Sequence, residues 1–316
     1  MNQIKKGLSV LILILSFSSA YGQQTPFSPV SYYVFTPFLF NPAIAGSKDF
    51  TSLDIAATIQ GQDKSQIISG NTRLARAGSS YFAAPNFKNF TNIGVGGSVF
   101  NDVIGPSRSI GLSLAVSYHL PLDKKKLSFL AGGIAVKGIY NILDSVPDTG
   151  APARDGFIPN SDIGLYYYRQ NFYSGISVTN IFGNLLDNAD QSIYNIPVSR
   201  QYLFVAGYKI ILSKSLNVIL EPSIIINTND SLDFKNKEIY NPMLKLFLDE
   251  FCIGTYLHDY NKISVFFEYK FPKIYLGTFV DFPKDAPFYK KELYVEIALG
   301  INLSGFKPSF AEKWHW

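Results

Sequence analysis

From about residue 51 to residue 303 the chain repeatedly alternates apolar residues with small or polar ones, and this rhythm restricts what it can fold into. In the last such stretch Leu293, Val295, Ile297, Leu299, Ile301 and Leu303 fall on one side. Tyr294, Glu296, Ala298, Gly300 and Asn302 fall on the other. Ile110, Leu112, Leu114, Val116, Tyr118 and Leu120 alternate in the same way with Gly111, Ser113, Ala115, Ser117 and His119. Successive side chains of a β-strand point to opposite faces, so each stretch has one greasy face and one polar or small face. Stretches of about 10 residues match the ~9–11 residues with which a tilted strand crosses a bilayer. The pattern predicts an all-β fold: a single antiparallel transmembrane outer-membrane β-barrel.

About fourteen strands are expected, near 51–61, 65–74, 91–101, 107–120, 126–140, 160–169, 171–180, 199–212, 215–227, 240–249, 250–258, 261–271, 272–281 and 291–303. Connections after even-numbered strands are mostly short and those after odd-numbered strands are often long. Outer-membrane barrels have short periplasmic turns and longer external loops, and an even strand count puts both ends of the barrel domain in the periplasm. Residues 75–90 break the rule, forming a long connection on the short-turn side.

An export signal precedes the barrel. Lys5 and Lys6 lead an apolar run from Leu8 to Phe17, and Ala20-Tyr21-Gly22 fits a small-x-small cleavage site before Gln23. The run is too short for a spanning helix. Loss of the two lysines lowers the formal net charge of +4 by two, which is no basis for nucleic-acid binding. Charged residues make up 16% of the chain, against ~25% in soluble domains. Aromatic residues make up 15%, which suits a lipid-facing surface between aromatic girdles. The single cysteine, Cys252, leaves no internal disulfide.

The expected organisation is therefore a signal peptide at 1–22, an N-terminal periplasmic or lumenal segment at 23–50, the barrel at 51–303 and a C-terminal tail at 304–316. The N-terminal segment is rich in Pro and aromatics and has almost no charge. Left free it would aggregate, so it is expected to act as a plug-like element in the lumen or at its periplasmic mouth.

No residue pattern points to catalysis, a cofactor or a metal. His119 alternates inward without a second histidine or acid at ligand spacing. His258 and Asp259 are adjacent and would face opposite sides of a strand, and His315 lies in the tail. There is no Gly-x-Ser-x-Gly elbow. Gly94-Val95-Gly96-Gly97 precedes no helix and so is not a phosphate loop; strand glycines here, with Gly132 and Gly133, imply bending or close backbone packing. Glu296, and Glu268 with Lys270, fall on inward faces, where charges form satisfied networks or line water. Lys124, Lys125 and Lys126 form a hairpin tip, either simply solvated or a contact for an acidic periplasmic partner or lipid head groups.

Several segments together resemble one family. The opening FSPVSYYVFTPFLFNPAIAGS resembles the Phe-Ser-x-Tyr…Asn-Pro-x-x-Ala-Gly start of the PorP/SprF outer-membrane proteins of the Bacteroidetes type IX secretion and gliding machinery. Residues 94–140 resemble its Asn-Asp-x-x-Gly-Pro turn and Tyr-x-x-Pro-Leu hairpin. Residues 162–182 and 202–226 resemble the hairpins that follow, and the likeness runs from about residue 24 to residue 303. The opening differs at Val30 and Ser31, where the family more often carries Gln and Tyr. The resemblance implies a non-enzymatic barrel without cofactors. It implies partners among periplasmic and peptidoglycan-linked secretion components, or a large secreted adhesin whose export and surface attachment it supports. By the same resemblance Asn41, Pro42, Ala45 and Gly46, and Asn101, Asp102, Gly105 and Pro106, are family motifs of architectural or partner-binding character. The rival reading is an outer-membrane diffusion channel or small-solute transporter, against which the small inward residues argue for a filled or narrow lumen.

Overall fold

A computed structural model describes residues 30–48, 51–60, 63–75, 90–104, 107–123, 127–143, 154–182, 200–229, 232, 234–258, 262–270, 273–283 and 294–303. The strands are β1 Ser52–Gln60, β2 Asp63–Ala75, β3 Phe90–Ile104, β4 Ser107–Asp123, β5 Ser128–Leu143, β6 Arg154–Arg169, β7 Phe172–Thr179, β8 Gln201–Tyr208, β9 Ile210–Ser213, β10 Val218–Asn229, β11 Tyr240–Leu248, β12 Phe251–His258, β13 Lys262–Lys270, β14 Ile274–Pro283 and β15 Tyr294–Asn302. β8 and β9 are one strand interrupted at Lys209, since both pair with β10. The expected fourteen strands are therefore present.

Every pairing is antiparallel, and each strand lies beside its sequence neighbours. The sheet closes through β15 and β1, with Ser52 opposite Asn302 and Thr58 opposite Glu296, while β10 continues onto β11. Closure matters physically because an open edge in hydrocarbon would leave backbone N–H and C=O groups without partners.

The alternation is inverted relative to a soluble sheet, with apolar residues outside and polar residues inside. Along β4, Leu114 is 53% exposed and its neighbour Ala115 2%. On β15, Ile297 is 55% exposed and Glu296 fully buried. The outer wall carries Leu114, Val116, Ile134, Val136, Ile163 and Leu165, with Tyr118, Tyr208 and Phe251 toward one rim and Tyr140 and Phe157 toward the other. That is an apolar band between aromatic girdles.

One end of the barrel carries the short connections, among them residues 124–127, 170–171, 214–217 and 249–250. Asn217 and Asp249 take positive φ in these turns (51° and 53°), a conformation that Asn and Asp tolerate better than most residues. β1 begins and β15 ends at this same end. Residues 76–89 of the connection expected at 75–90, the expected signal peptide at 1–22, the expected tail at 304–316 and Lys124, Lys125 and Lys126 lie outside the described residues.

If the outward face of β4 lies in lipid, Leu114→Arg will lower barrel stability by about 2–4 kcal/mol in bilayer unfolding titrations. Leu114→Phe is expected to leave it nearly unchanged. Equal stability of the two variants would place that face outside the membrane.

Candidate functional site

The inner wall carries a lateral row of small residues brought together by strand register. Gly94 of β3 pairs with Ser117 of β4, Ser117 with Gly133 of β5, Gly133 with Gly164 of β6, and Gly164 with Ser177 of β7. Two residues further along the strands runs a second row, Gly96, Ala115 and Ala135. Together they make a shallow trough across five strands, where another length of backbone can approach the wall.

Residues 30–48 lie against this wall. They form a short helix, Val30–Phe35, then two single 3-10 turns, Pro37–Leu39 and Pro42–Ile44. Each 3-10 turn begins at a proline, whose missing N–H has no helical acceptor to lose there. Asn41 caps the second turn, its side-chain oxygen accepting from the Ala43 N–H at 3.0 Å. Its Nδ2 donates to the carbonyls of Leu165 (3.0 Å) and Ile176 (3.3 Å) on β6 and β7. Asn41 thus ties the turn to the wall as well as to itself.

The rest of the motif is held in the same way. The Ala45 carbonyl accepts from Ser117 Oγ at 2.6 Å and from His119 Nε2 at 2.8 Å. With the His119 proton on Nε2, Nδ1 accepts from the Tyr168 hydroxyl at 2.9 Å, and that hydroxyl accepts from Arg73 Nη2 at 2.5 Å. Arg73 Nε donates to the Gly46 carbonyl at 3.1 Å, and the Gly46 N–H donates to Asn71 Oδ1 at 3.3 Å. Gly46 has φ +68°, and a Cβ there would press on Gly94 and the Thr72 carbonyl. Conformation and space both demand glycine. A Cβ on Gly94, Gly133 or Gly164 would collide with Ala45, Ala43 or Asn41 respectively. Phe38 packs with Ala45, Ala115 and Ala135 in a small cluster and lies over Gly96.

The segment also reaches the opposite half of the barrel. The N–H groups of Val30 and Ser31 donate to the two oxygens of Glu296, at 2.9 and 2.7 Å. The Tyr32 hydroxyl meets Ser65 Oγ at 2.5 Å, and Ser65 donates to Asp102. Phe35 packs on Tyr275 and Phe279. Lys48 Nζ donates to the Phe35 carbonyl at 3.3 Å and lies 3.8 Å from Asp54, which Tyr275 also contacts. Burial lowers the pKa of Lys48, and Asp54 opposes that shift.

The structure thus gathers Asn41, Pro42, Ala45 and Gly46 into one seat. Of the second motif, Asp102 touches the segment through Ser65 and Tyr32, whereas Asn101 turns to Gln66 and Arg108. Gly105 and Pro106 lie outside the described residues. The partners not expected from sequence are Arg73, Asn71, Tyr168 and Ser177, the last donating to the Phe40 carbonyl at 2.6 Å. His119 was expected inward, but not as the donor to Ala45. Chemically the arrangement satisfies a buried backbone; its hydroxyls and imidazole are committed to that task.

Gly133→Val tests the seat. The added methyl groups are expected to cost at least ~1–3 kcal/mol by overpacking and to displace residues 41–46, making them protease-accessible in a barrel that still folds. Gly132→Val, which meets only Leu165 at 3.6 Å, serves as the silent control. Equal protection in both variants would contradict the contact.

Among solved structures the chain is similar to a KdgM porin (8% identity, TM-score 0.35, 79% of this chain and 98% of that one). It is similar also to outer membrane phospholipase A from Escherichia coli (12%, 0.36, 84% and 99%) and to a bacterial polysaccharide outer membrane secretin (11%, 0.36, 80% and 98%). No curated protein matches it. The profile described as "Type IX secretion system membrane protein PorP/SprF" matches residues 22–301, nearly the whole barrel together with the seated motif. The chain belongs to the PorP/SprF family of type IX secretion system membrane proteins.

Proposed function

We propose that this protein serves type IX secretion by binding rather than by chemistry, as an outer-membrane anchor whose lumen is plugged by its own N-terminal segment. The observation that carries this reading is the use made of the family motif. Asn41 to Gly46 spend their hydrogen-bonding groups on the inner wall, and the wall is carved in glycine, serine and alanine to receive them. A diffusion pore gains nothing from a wall fitted to its own chain. A rigid platform does, because a filled barrel resists deformation when partners pull on it.

In this reading residues 1–22 are removed as a signal peptide, 23–50 plug the barrel, 51–303 span the outer membrane and 304–316 form a tail. The short-turn end faces the periplasm, as is usual for such barrels. It would meet periplasmic and peptidoglycan-linked secretion components, or help retain one large secreted adhesin at the surface, with a role in gliding. Lys124, Lys125 and Lys126, at a short-turn tip, are the contact for an acidic periplasmic partner.

Two experiments test this. Envelopes solubilised in detergent should yield the barrel together with periplasmic secretion components or one giant surface protein, identified by mass spectrometry. Changing Lys124, Lys125 and Lys126 to Glu should reduce that recovery. In planar bilayers the intact barrel should be electrically silent, while a variant lacking residues 24–48 should show discrete conductance steps. A partner-free barrel that conducts with its N-terminal segment in place would instead be a channel.

A further inference from the structure

A cavity of about 120 Å³ remains in the lumen beside the seated segment. Its wall includes Tyr33 and Lys48 from that segment and Tyr173, Lys209, Glu221 and Lys245 from the strands. Its charges are unbalanced. Glu221 is the one carboxylate among the described residues lining the cavity, and Lys209 and Lys245 stand 3.9 and 3.6 Å from its two oxygens, beyond hydrogen-bond distance, with Glu268 beside Lys245 in a smaller neighbouring gap. The Tyr173 hydroxyl donates to Glu221 Oε1 at 2.9 Å, whereas Oε2, fully buried, has no hydrogen-bond partner among the described residues. Lys48, also in the wall, lies 3.8 Å from Asp54, which does not line the cavity. Two largely buried ammonium groups around one carboxylate, with space next to them, form an arrangement whose desolvation is poorly repaid until a second anion enters.

The position of this imbalance is informative. Among the described residues inside the barrel, Lys48, Arg73, Lys209, Lys245 and Lys270 lie toward the short-turn end, where Asp54, Glu221 and Glu268 answer five cations with three carboxylates, while Asp102, Asp281 and Glu296 lie toward the long-loop end. Arg169, exposed beside the short turn at 170–171, stands at the rim of the cavity. A negatively charged group approaching from that side would be drawn inward. The remaining wall is largely apolar, with Ile225 and Met243, and the volume suits one side chain rather than a larger solute.

We propose that the cavity is a binding site for a carboxylate side chain presented by a polypeptide entering from the short-turn mouth, held by Lys209 and Lys245. The inference rests on residues 30–48 being seated, since Tyr33 and Lys48 form part of the wall. It does not depend on which secretion component the barrel anchors.

Isothermal calorimetry on the full-length barrel tests it, with acetyl-tetraglutamate amide as the probe. The matched tetraglutamine peptide, glutarate and inorganic phosphate are the comparisons. The glutamate peptide should bind, and each comparison should bind at least about tenfold more weakly. Lys209→Met and Lys245→Met should each weaken the glutamate peptide by roughly tenfold. Glu221→Gln keeps the volume and removes the competing carboxylate, so it should tighten binding; it supplies the reading if a lysine variant does not fold. Equal binding of the glutamine peptide or of phosphate would overturn the carboxylate assignment, and equal binding of glutarate would overturn the polypeptide source. Unchanged affinity in folded lysine variants would overturn the site itself. Protease protection of residues 30–48 in the same samples separates an unseated segment from an intact cavity that binds nothing.

Discussion

The structure depends on a close approach between two stretches of backbone, the turn at residues 41–46 and the glycine and serine row on the inner wall. A closed barrel of fourteen strands leaves an interior that water, a solute or protein must fill. Here the interior face is small where the turn at residues 41–46 lies. Gly94, Gly133 and Gly164 yield the space, and Ser117, Ser177, His119 and Asn41 supply the hydrogen bonds that a backbone out of water requires. Each such bond contributes only ~0.5–1.5 kcal/mol net, but a buried carbonyl or N–H left without one costs ~1–3 kcal/mol. The penalty for leaving partway exceeds the gain from any one contact, so the seat favours occupancy as a unit.

The polar lumen follows from the same logic. Once the segment is in place, several inward-facing polar side chains pair with the segment or with their neighbours. Glu296 takes two backbone N–H groups, the Arg73–Tyr168–His119 chain ends on Ala45, and Lys137 pairs with Asp162 at 2.6 Å. The Lys209–Glu221–Lys245 group differs in that two ammonium groups face one carboxylate beside a cavity.

Much of the fold was legible in the sequence. Period-two alternation fixes which residues of a strand share a face, and the bilayer sets strand length, so all fourteen strands emerged near their observed positions. Register was not legible. Gly94, Ser117, Gly133 and Gly164 lie 16 to 31 residues apart along the chain, and only pairing places them side by side. In the sequence alone the glycines are compatible with bends and with close contacts alike, and only register distinguishes the two. The roles of Arg73 and Tyr168 escaped for the same reason: a long side chain gives no sign in sequence of what it reaches across a lumen. The Asn41–Gly46 motif was recognised by resemblance, and its physical meaning came from the wall it meets. The segment's reach to Glu296, near the long-loop end of β15, also lay beyond any local pattern.

Backbone hydrogen exchange on the full-length barrel in lipid nanodiscs, followed by mass spectrometry, tests the central claim most directly. The account predicts that peptides covering residues 30–48 exchange as slowly as the flanking strand β1, because the amides of Val30, Ser31, Ala43 and Gly46 are bonded inside the lumen. Exchange of those peptides at the rate of an unstructured chain, while β1 remains protected, would contradict it.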